Sequence, residues 1–220
     1  MNYHIEVLKE GYSYLSRDKQ SMVANGTSTL IKGPGVNILV DTMNAWNSQF
    51  LIEALKRNGI KCENVHYVVC THGHSDHIGN LNLFQRATQI VGMSVSSGDV
   101  YQLHPFEKGM PYRIARNIEV IPTPGHTLSD VSVVVKSTNC GTVVIAGDLF
   151  ERKEDIKDIS LWRDIAGSEN PNLQLQSREH VLSIADYIIP GHGPMFKVTS
   201  ELREIHASIV KSELGIALKG

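Results

Sequence analysis

The run Thr71-His72-Gly73-His74-Ser75-Asp76-His77 sets three histidines and an aspartate within seven residues, directly after the apolar stretch Val65 to Cys70. That stretch reads as a short buried strand. Alternate residues of an extended segment point to the same side, so His72 and His74 can reach one metal ion together. Asp76 and His77 stand past the turn, where the chain is expected to enter a short helix over Ile78 to Phe84, and can face a second ion. One ion would not need all four groups.

The same arrangement recurs along the chain. Ile118 to Ile121 reads as a strand and leads into Pro122-Thr123-Pro124-Gly125-His126. Asp130 to Lys136 and Thr142 to Ala146 read as paired strands, the second ending at Gly147-Asp148. Tyr187 to Ile189 reads as a strand and ends in Pro190-Gly191-His192-Gly193-Pro194. Catalytic groups in layered folds concentrate on loops at strand ends, where a rigid scaffold fixes them and leaves them open to solvent. The loops at 71–77, 125–126, 147–148 and 191–193 are therefore expected to converge. One ion would be held by His72, His74, His126 and Asp148, and the other by Asp76, His77, His192 and Asp148, whose carboxylate can offer an oxygen to each. Neither set fills every coordination position, as a catalytic site requires. A hydroxide between two divalent ions is nucleophilic near neutral pH, because metals lower the pKa of water to about 7. Asp41, at the end of the strand-like run Val36 to Val40, suits a supporting role as acceptor from a ligand histidine. Asp76, Asp148 and Asp41 are the acidic residues expected to carry the chemistry. Zinc, iron and manganese all accept these nitrogen and oxygen donors, so the donor set does not select among them.

Around these loops, Tyr3 to Leu8, Thr27 to Lys32 and Val36 to Val40 read as strands, with Gly33-Pro34-Gly35 turning between the last two. Ser48 to Asn58 reads as a helix with Phe50, Leu51, Ala54 and Leu55 on one face and Gly59 as its stop. Leu173 to Ala185 is a second helix. A last one, from Ser200, is expected to bury Leu202, Ile205, Ile209 and Leu214. Strands between helical segments, joined by hairpins and crossovers, predict a mixed α/β sandwich with helices outside two sheets. No linker or repeat interrupts the chain, so residues 1–220 read as one domain. A net charge of −2 gives no general excess of cations for nucleic acid or an anionic membrane. Cys62, Cys70 and Cys140 are an odd set without CxxC spacing, which fits a reducing compartment. The N-terminal segment lacks the apolar core of a signal peptide and no run is of spanning length, so an intracellular protein without a membrane partner is expected.

The series Asp41, His72-x-His74-x-Asp76-His77, Thr123-Pro124-Gly125-His126, Gly147-Asp148 and Gly191-His192-Gly193 resembles the metallo-β-lactamase superfamily, block by block and in order. The resemblance implies a four-layer αββα sandwich with a dinuclear site, usually of zinc, at one edge. True class B β-lactamases commonly carry Cys where Asp148 stands, so antibiotic hydrolysis is not the expected task. The flavo-diiron branch has Glu where His74 stands, and the large RNA-processing members carry a further domain. The stretches Thr71 to Phe84, Asp130 to Val135, Ala146 to Glu151 and Ala185 to Phe196 look closest to a small single-domain animal branch. That branch is associated with endoribonuclease cleavage of histone pre-mRNA, which implies an RNA substrate and a cytoplasmic and nuclear location. A homodimer is compatible with it.

Two other functions share these blocks. Thr123-Pro124-Gly125-His126-Thr127 is similar to the thioester hydrolase glyoxalase II, and the mononuclear iron dioxygenases acting on persulfides resemble the chain in the same blocks. A non-catalytic metal-binding protein is the least expected outcome. His4, His66, His104, His180 and His206 lie outside the series and are read as structural. Cys70 is read as a small residue closing a strand rather than a ligand. Lys108 to Arg116 is read as a solvated loop. Trp46 and Trp162 are open between rim and core.

Overall fold

A computed structural model describes residues 3–215 of the chain. In chain order the strands are β1 (His4–Lys9), β2 (Tyr12–Leu15), β3 (Met22–Asn25), β4 (Ser28–Gly33), β5 (Val36–Val40), β6 (Tyr67–Cys70), β7 (Thr88–Val91), β8 (Ser94–Ser97) and β9 (Val100–Gln102). They continue as β10 (Tyr112–Ala115), β11 (Ile118–Pro122), β12 (Val131–Thr138), β13 (Gly141–Gly147), β14 (Tyr187–Pro190) and β15 (Phe196–Lys197). The helices are α1 (Ser48–Arg57), α2 (Ser75–Ile78), α3 (Pro171–Ile184) and α4 (Ser200–Glu213). One sheet has the order β1-β4-β5-β6-β7-β8-β9 and the other β10-β11-β12-β13-β14-β15, while β2 and β3 stand apart as a hairpin.

The central strands read as continuous apolar runs because both of their faces are buried. Ile38 and Val40 on β5 pack into the layer between the sheets, with Val133, Val135, Val143 and Ile145 opposite. Leu39 points the other way, onto Leu51 and Leu55 of α1. Val144, Ala146 and Ile188 likewise face outward onto Val181 and Leu182 of α3 and Leu202 of α4. This two-residue alternation produces four layers from one pattern. Each fully buried Val, Leu or Ile contributes about 1.5–3 kcal/mol, so burial rather than any one hydrogen bond holds the layers together.

Strands β5, β6 and β7 run parallel, as do β13 and β14, and β11 shares the direction of β13 across antiparallel β12. Their carboxyl ends meet at one edge of the sandwich. Two backbone bonds seal the sheets there, Val131 N–H to Thr71 O at 2.9 Å and Thr27 N–H to Gly191 O at 2.7 Å. The expected strands and the helices at 48–58 and 173–185 are all present, with ends moved by a few residues.

Elsewhere the structure differs. The helix expected over Ile78 to Phe84 instead occupies Ser75–Ile78, followed by a 3-10 turn at Leu81–Leu83. Tertiary bonds replace its ladder: Gly79 N–H donates to Met43 O, and the Asn80 amide donates to Thr42 O at 2.6 Å and Asn44 O at 2.9 Å. On α4 the buried ridge is Leu202, His206 and Val210, while Ile205, Ile209 and Leu214 are half-buried. His206 fits there because its Nε2–H donates to Leu175 O on α3 at 3.2 Å. The hairpin β2–β3 and strands β8 and β9 had no clear signal in the sequence, and Lys108 to Arg116, expected to be a solvated loop, contains β10, paired antiparallel with β11.

Arg178 on α3 is wholly buried, an improbable place for a cation without a dedicated partner. Its guanidinium donates to both oxygens of buried Asp155, at 2.6 and 3.2 Å, and to Leu149 O at 2.8 Å. It also lies over the Phe150 ring, 4.2 Å from the centroid, and near buried Trp162. Asp155 in turn accepts the Glu151 N–H at 2.7 Å. The segment from Leu149 to Asp155 is thereby pinned against α3.

Replacing Arg178 by Met should cost about 3–5 kcal/mol in chemical denaturation, because Asp155 is left as an uncompensated buried charge. Arg178→Met/Asp155→Leu should recover part of that loss, less about 1–3 kcal/mol for the buried Glu151 N–H that loses its acceptor. His206 gives a pH signature. Burial and the nearby Arg178 charge lower its pKa from the usual 6.5 to about 4. The unfolded chain therefore takes up this proton first, and stability falls as pH drops from 6.5 through about 4, by about 3 kcal/mol at most. In metal-free protein, His206→Asn should flatten the stability slope in that window and leave the slope above pH 7 unchanged.

Candidate metal centre

His72, His74, His126 and Asp148 bring one donor atom each into a group spanning no more than 4.8 Å, and Asp76, His77 and His192 form a second such group. Every metal ligand expected from the sequence is in this cluster. His4, His66, His104, His180 and His206 are not. Asp148 lies between the two groups. Its Oδ2 is 3.6 Å from His72 Nε2, 3.5 Å from His126 Nε2 and 3.2 Å from His192 Nε2, and its Oδ1 is 3.2 Å from His77 Nε2.

Each element delivers its side chain for a local reason. His72 and His74 are carried on the extended segment after β6, and Asp76 and His77 on the single turn of α2. His126 follows β11 in a turn closed by Asp130, which accepts from Thr127 N–H at 2.7 Å and Thr127 Oγ1–H at 2.5 Å. Gly147 has φ 53°, in the left-handed region, and a Cβ there would strike Thr71 Oγ1. A Cβ on Gly191 would strike Asp148 Oδ1. Only hydrogen at these two positions lets the strand ends approach this closely.

The partners of the ring nitrogens fix which of them faces the centre. His77 Nδ1–H donates to Asp41 Oδ2 at 2.9 Å, His126 Nδ1–H to Gly167 O at 2.9 Å, and His192 Nδ1–H to Asn25 O at 3.1 Å. Thr71 Oγ1–H donates to Asp41, so the His72 Nδ1–H donates to Thr71 Oγ1 at 3.1 Å. In all four rings Nε2 is thereby turned toward the centre. Asp41 itself has φ 57° and also accepts Thr71 N–H at 2.7 Å. A non-glycine residue in that conformation costs of order 1–3 kcal/mol, which its three partners offset.

The donor set fits a cation. His74 Nδ1 is 2.9 Å from His72 Nε2 and 3.0 Å from His126 Nε2, so three ring nitrogens converge where a proton or a metal can sit among them. His77 Nε2 and Asp148 Oδ1 are buried and, among the described residues, have no hydrogen-bond partner. The titration behaviour agrees. Burial holds the pKa of His72 well below its ordinary value and lowers that of His74. Burial works against the charge on Asp148, yet His192, His77 and His72 hold its carboxyl well below the usual range. Against burial, Asp148 and Asp41 lift His77 well above its usual value, and Asp148 lifts His192 to about 9. Asp148 thus demands positive charge beside it, which a divalent ion supplies.

Two features escaped the sequence reading. Buried Glu151 also faces the centre, and burial followed by repulsion from Asp148 raises its pKa to about 8. In the sequence it stands after Phe150 at the head of the charged run Arg152-Lys153-Glu154-Asp155, where a solvated carboxylate is the ordinary reading. The hairpin β2–β3 supplies a wall, since Ser13, Met22 and Ala24 line a cavity of ≈ 150 Å³ above His74, Asp76 and Asp148. Cys70 is buried and donates to His77 O at 3.3 Å, a structural role. Trp46 is exposed and Trp162 is core.

A family model for the metallo-β-lactamase superfamily matches residues 22–192, from the hairpin to the last histidine of the cluster. The chain belongs to this superfamily of metallo-hydrolases, and the α/β sandwich is its fold. Over 198 residues it is 44% identical to metallo-β-lactamase domain-containing protein 1 of Xenopus laevis, covering 89% of this chain and 82% of that protein. The human protein of the same name is 39% identical over 227 residues, covering 90% and 84%. Among solved structures, a variant of AiiA from B. thuringiensis with N-decanoyl-L-homoserine at its active site superposes with TM-score 0.61. At 17% identity, over 88% of this chain and 94% of that one, this likeness is one of fold. No helix among the described residues is long and apolar enough to cross a membrane.

Asp41→Asn would set an amide N–H₂ against His77 Nδ1 or remove an acceptor from Thr71. Chelator competition on the folded variant should read a 10- to 100-fold loss of metal affinity. An unchanged affinity would show that Asp41 serves the backbone alone.

Proposed function

We propose that the protein is a dinuclear metal-dependent hydrolase that cleaves phosphodiester bonds in RNA. The observation that carries the hydrolase reading is Asp148, whose two oxygens face both donor groups within 3.6 Å. His72, His74, His126 and Asp148 would hold one ion, and Asp76, His77, His192 and Asp148 the other. Zinc suits the histidine-rich set best, with iron and manganese as alternatives. When bound, such a pair lowers the pKa of a coordinated water to about 7 and draws charge from the scissile group.

The protein's own part is positioning. Asp41, Gly167 O and Asn25 O hold three imidazoles by their Nδ1–H groups, so little reorganisation is needed as charge develops. The cavity admits a small reacting group only, and the bulk of a polymer would lie on the surface around it. That rim favours single-stranded RNA. Exposed Tyr12 and Tyr14 lie on the outer side of the hairpin, with ring centroids 6.0 Å apart. Exposed Trp46 is in the 3-10 turn tied to the hairpin by the Asn25–Asn47 bond. Base stacking on such rings is worth about 1–3 kcal/mol per base.

One observation favours a second reading, an ester or thioester hydrolase with an acyl substrate. The cavity side of the hairpin is apolar apart from Ser13, with Met22 and Ala24 lining it and exposed Leu15 paired to Met22. The AiiA variant, with its acyl-homoserine, is of the same fold.

Metal analysis followed by one panel of single-stranded RNA, DNA, glutathione thioester and acyl lactone separates these readings. Wild-type protein with two ions should cleave RNA, and Asp148→Ala should lose at least 10³-fold of that rate, about 4 kcal/mol. Tyr14→Ala should raise KM for RNA several-fold with kcat nearly unchanged. Turnover confined to the thioester or lactone would establish the second reading instead. Oxygen uptake by protein holding a single iron ion would replace both with dioxygenase chemistry.

A further inference from the structure

We infer that the Glu151 carboxylate is a further ligand on the His192 side of the centre, grouped with Asp148 and His192, raising the affinity of the second position for hard ions such as manganese. The inference rests on the dinuclear reading above. Glu151 is 2% exposed and lines the cavity beside Asp148 and His192, with a donor oxygen inside one 4.8 Å group with theirs. Its Oε2 is 4.0 Å from His192 Nε2, while Asp76 Oδ2 is 3.7 Å from that nitrogen and 3.8 Å from His77 Nε2. Two atoms each ~2.1 Å from one ion lie at most ~4.2 Å apart, so the 4.0 Å between Glu151 and His192 suits an ion shared by these two.

A carboxylate this deeply buried needs a positive partner. The adjacent cations are engaged elsewhere, since Arg152 Nη1–H donates to Ser13 O and Arg178 is matched to Asp155. Among the described residues, His192 is the one cationic side chain within ion-pair range of Glu151. Nor does Glu151 stray into the site by loop drift. Its N–H is held by Asp155 and its carbonyl accepts the His192 N–H at 2.8 Å, so its backbone is tied to a neighbouring ligand. With Glu151 the two positions become unlike: three imidazoles and a carboxylate at one, two imidazoles and three carboxylates at the other. Oxygen-rich sets shift relative preference toward manganese, and imidazole-rich sets toward zinc.

The test is metal binding, independent of any substrate. Metal-free wild type, Glu151→Gln and Glu151→Asp are titrated with zinc and with manganese against a chelator, with cobalt absorption as a coordination readout. Gln keeps the size and a neutral hydrogen-bonding end, so a merely structural or protonated Glu151 predicts no change. The expected result is a first ion bound as in wild type and a second weakened at least tenfold in Glu151→Gln. Manganese should lose more than zinc, and the second cobalt equivalent should absorb more intensely as its coordination number falls. Glu151→Asp, which keeps the charge on a shorter stem, should move the same readouts by less, and thermal unfolding checks that both variants fold. Two ions bound by Glu151→Gln with wild-type affinities and spectrum would overturn the inference and leave the dinuclear reading standing. A wild type that takes up only one ion would overturn both.

Discussion

Free imidazole nitrogens and a carboxylate that face one another in a buried cleft are the constraint around which this protein is arranged. His74 Nδ1 lies 2.9–3.0 Å from two other ring nitrogens, and Asp148 is hemmed in by four imidazoles. Without positive charge among them, such a cluster is repulsive and poorly solvated. The surrounding residues forbid escape. Asp41, Thr71, Gly167 and Asn25 hold the Nδ1 side of four rings, which prevents them from turning their free nitrogens to water.

Holding that arrangement is the task of the sandwich. The donors come from segments as far apart as residues 72 and 192, and their strands deliver them only if both sheets keep their register. The apolar layer of Ile38, Val40, Val133, Val135, Val143 and Ile145 fixes the sheets face to face. At the edge, glycines at 147 and 191 allow contact closer than any side chain would permit. Arg178 and Asp155 secure the segment that follows Asp148, which would otherwise be free to swing away from α3. A buried ion pair is weak evidence of net stability. Here its geometric consequence is plain, because Asp155 also holds the Glu151 N–H.

The same arrangement separates chemistry from recognition. The centre is built from rigid strand ends, whereas the wall above it is a two-stranded hairpin with exposed Tyr12, Tyr14, Leu15 and Met22. Within one superfamily, such a wall can change its apolar and aromatic residues without disturbing the donors. The centre therefore speaks to reaction class and the hairpin to substrate, which is why the two substrate readings differ only on the hairpin's two sides.

The candidate donors and the main strand segments were legible in the linear chain. His72, His74, Asp76 and His77 are crowded together, and His126, Asp148 and His192 each follow an apolar run and a glycine, a pattern that local chemistry suffices to read. The α4 face was misjudged because Ile205, Ile209 and Leu214 look more apolar than His206, and only the carbonyl of Leu175 makes burial of that imidazole acceptable. Glu151, Arg178 and the hairpin were silent for a related reason, since a buried charge is recognisable only once its partner from a distant element is in place. What the sequence by itself determined was which donors exist and the strand periodicity that gathers them at one edge. Which nitrogen of each ring points inward, which carboxylates lie beside Asp148 and what covers the cleft were decided by tertiary structure, because hydrogen-bond partners and desolvation belong to pairs of segments rather than to either one alone.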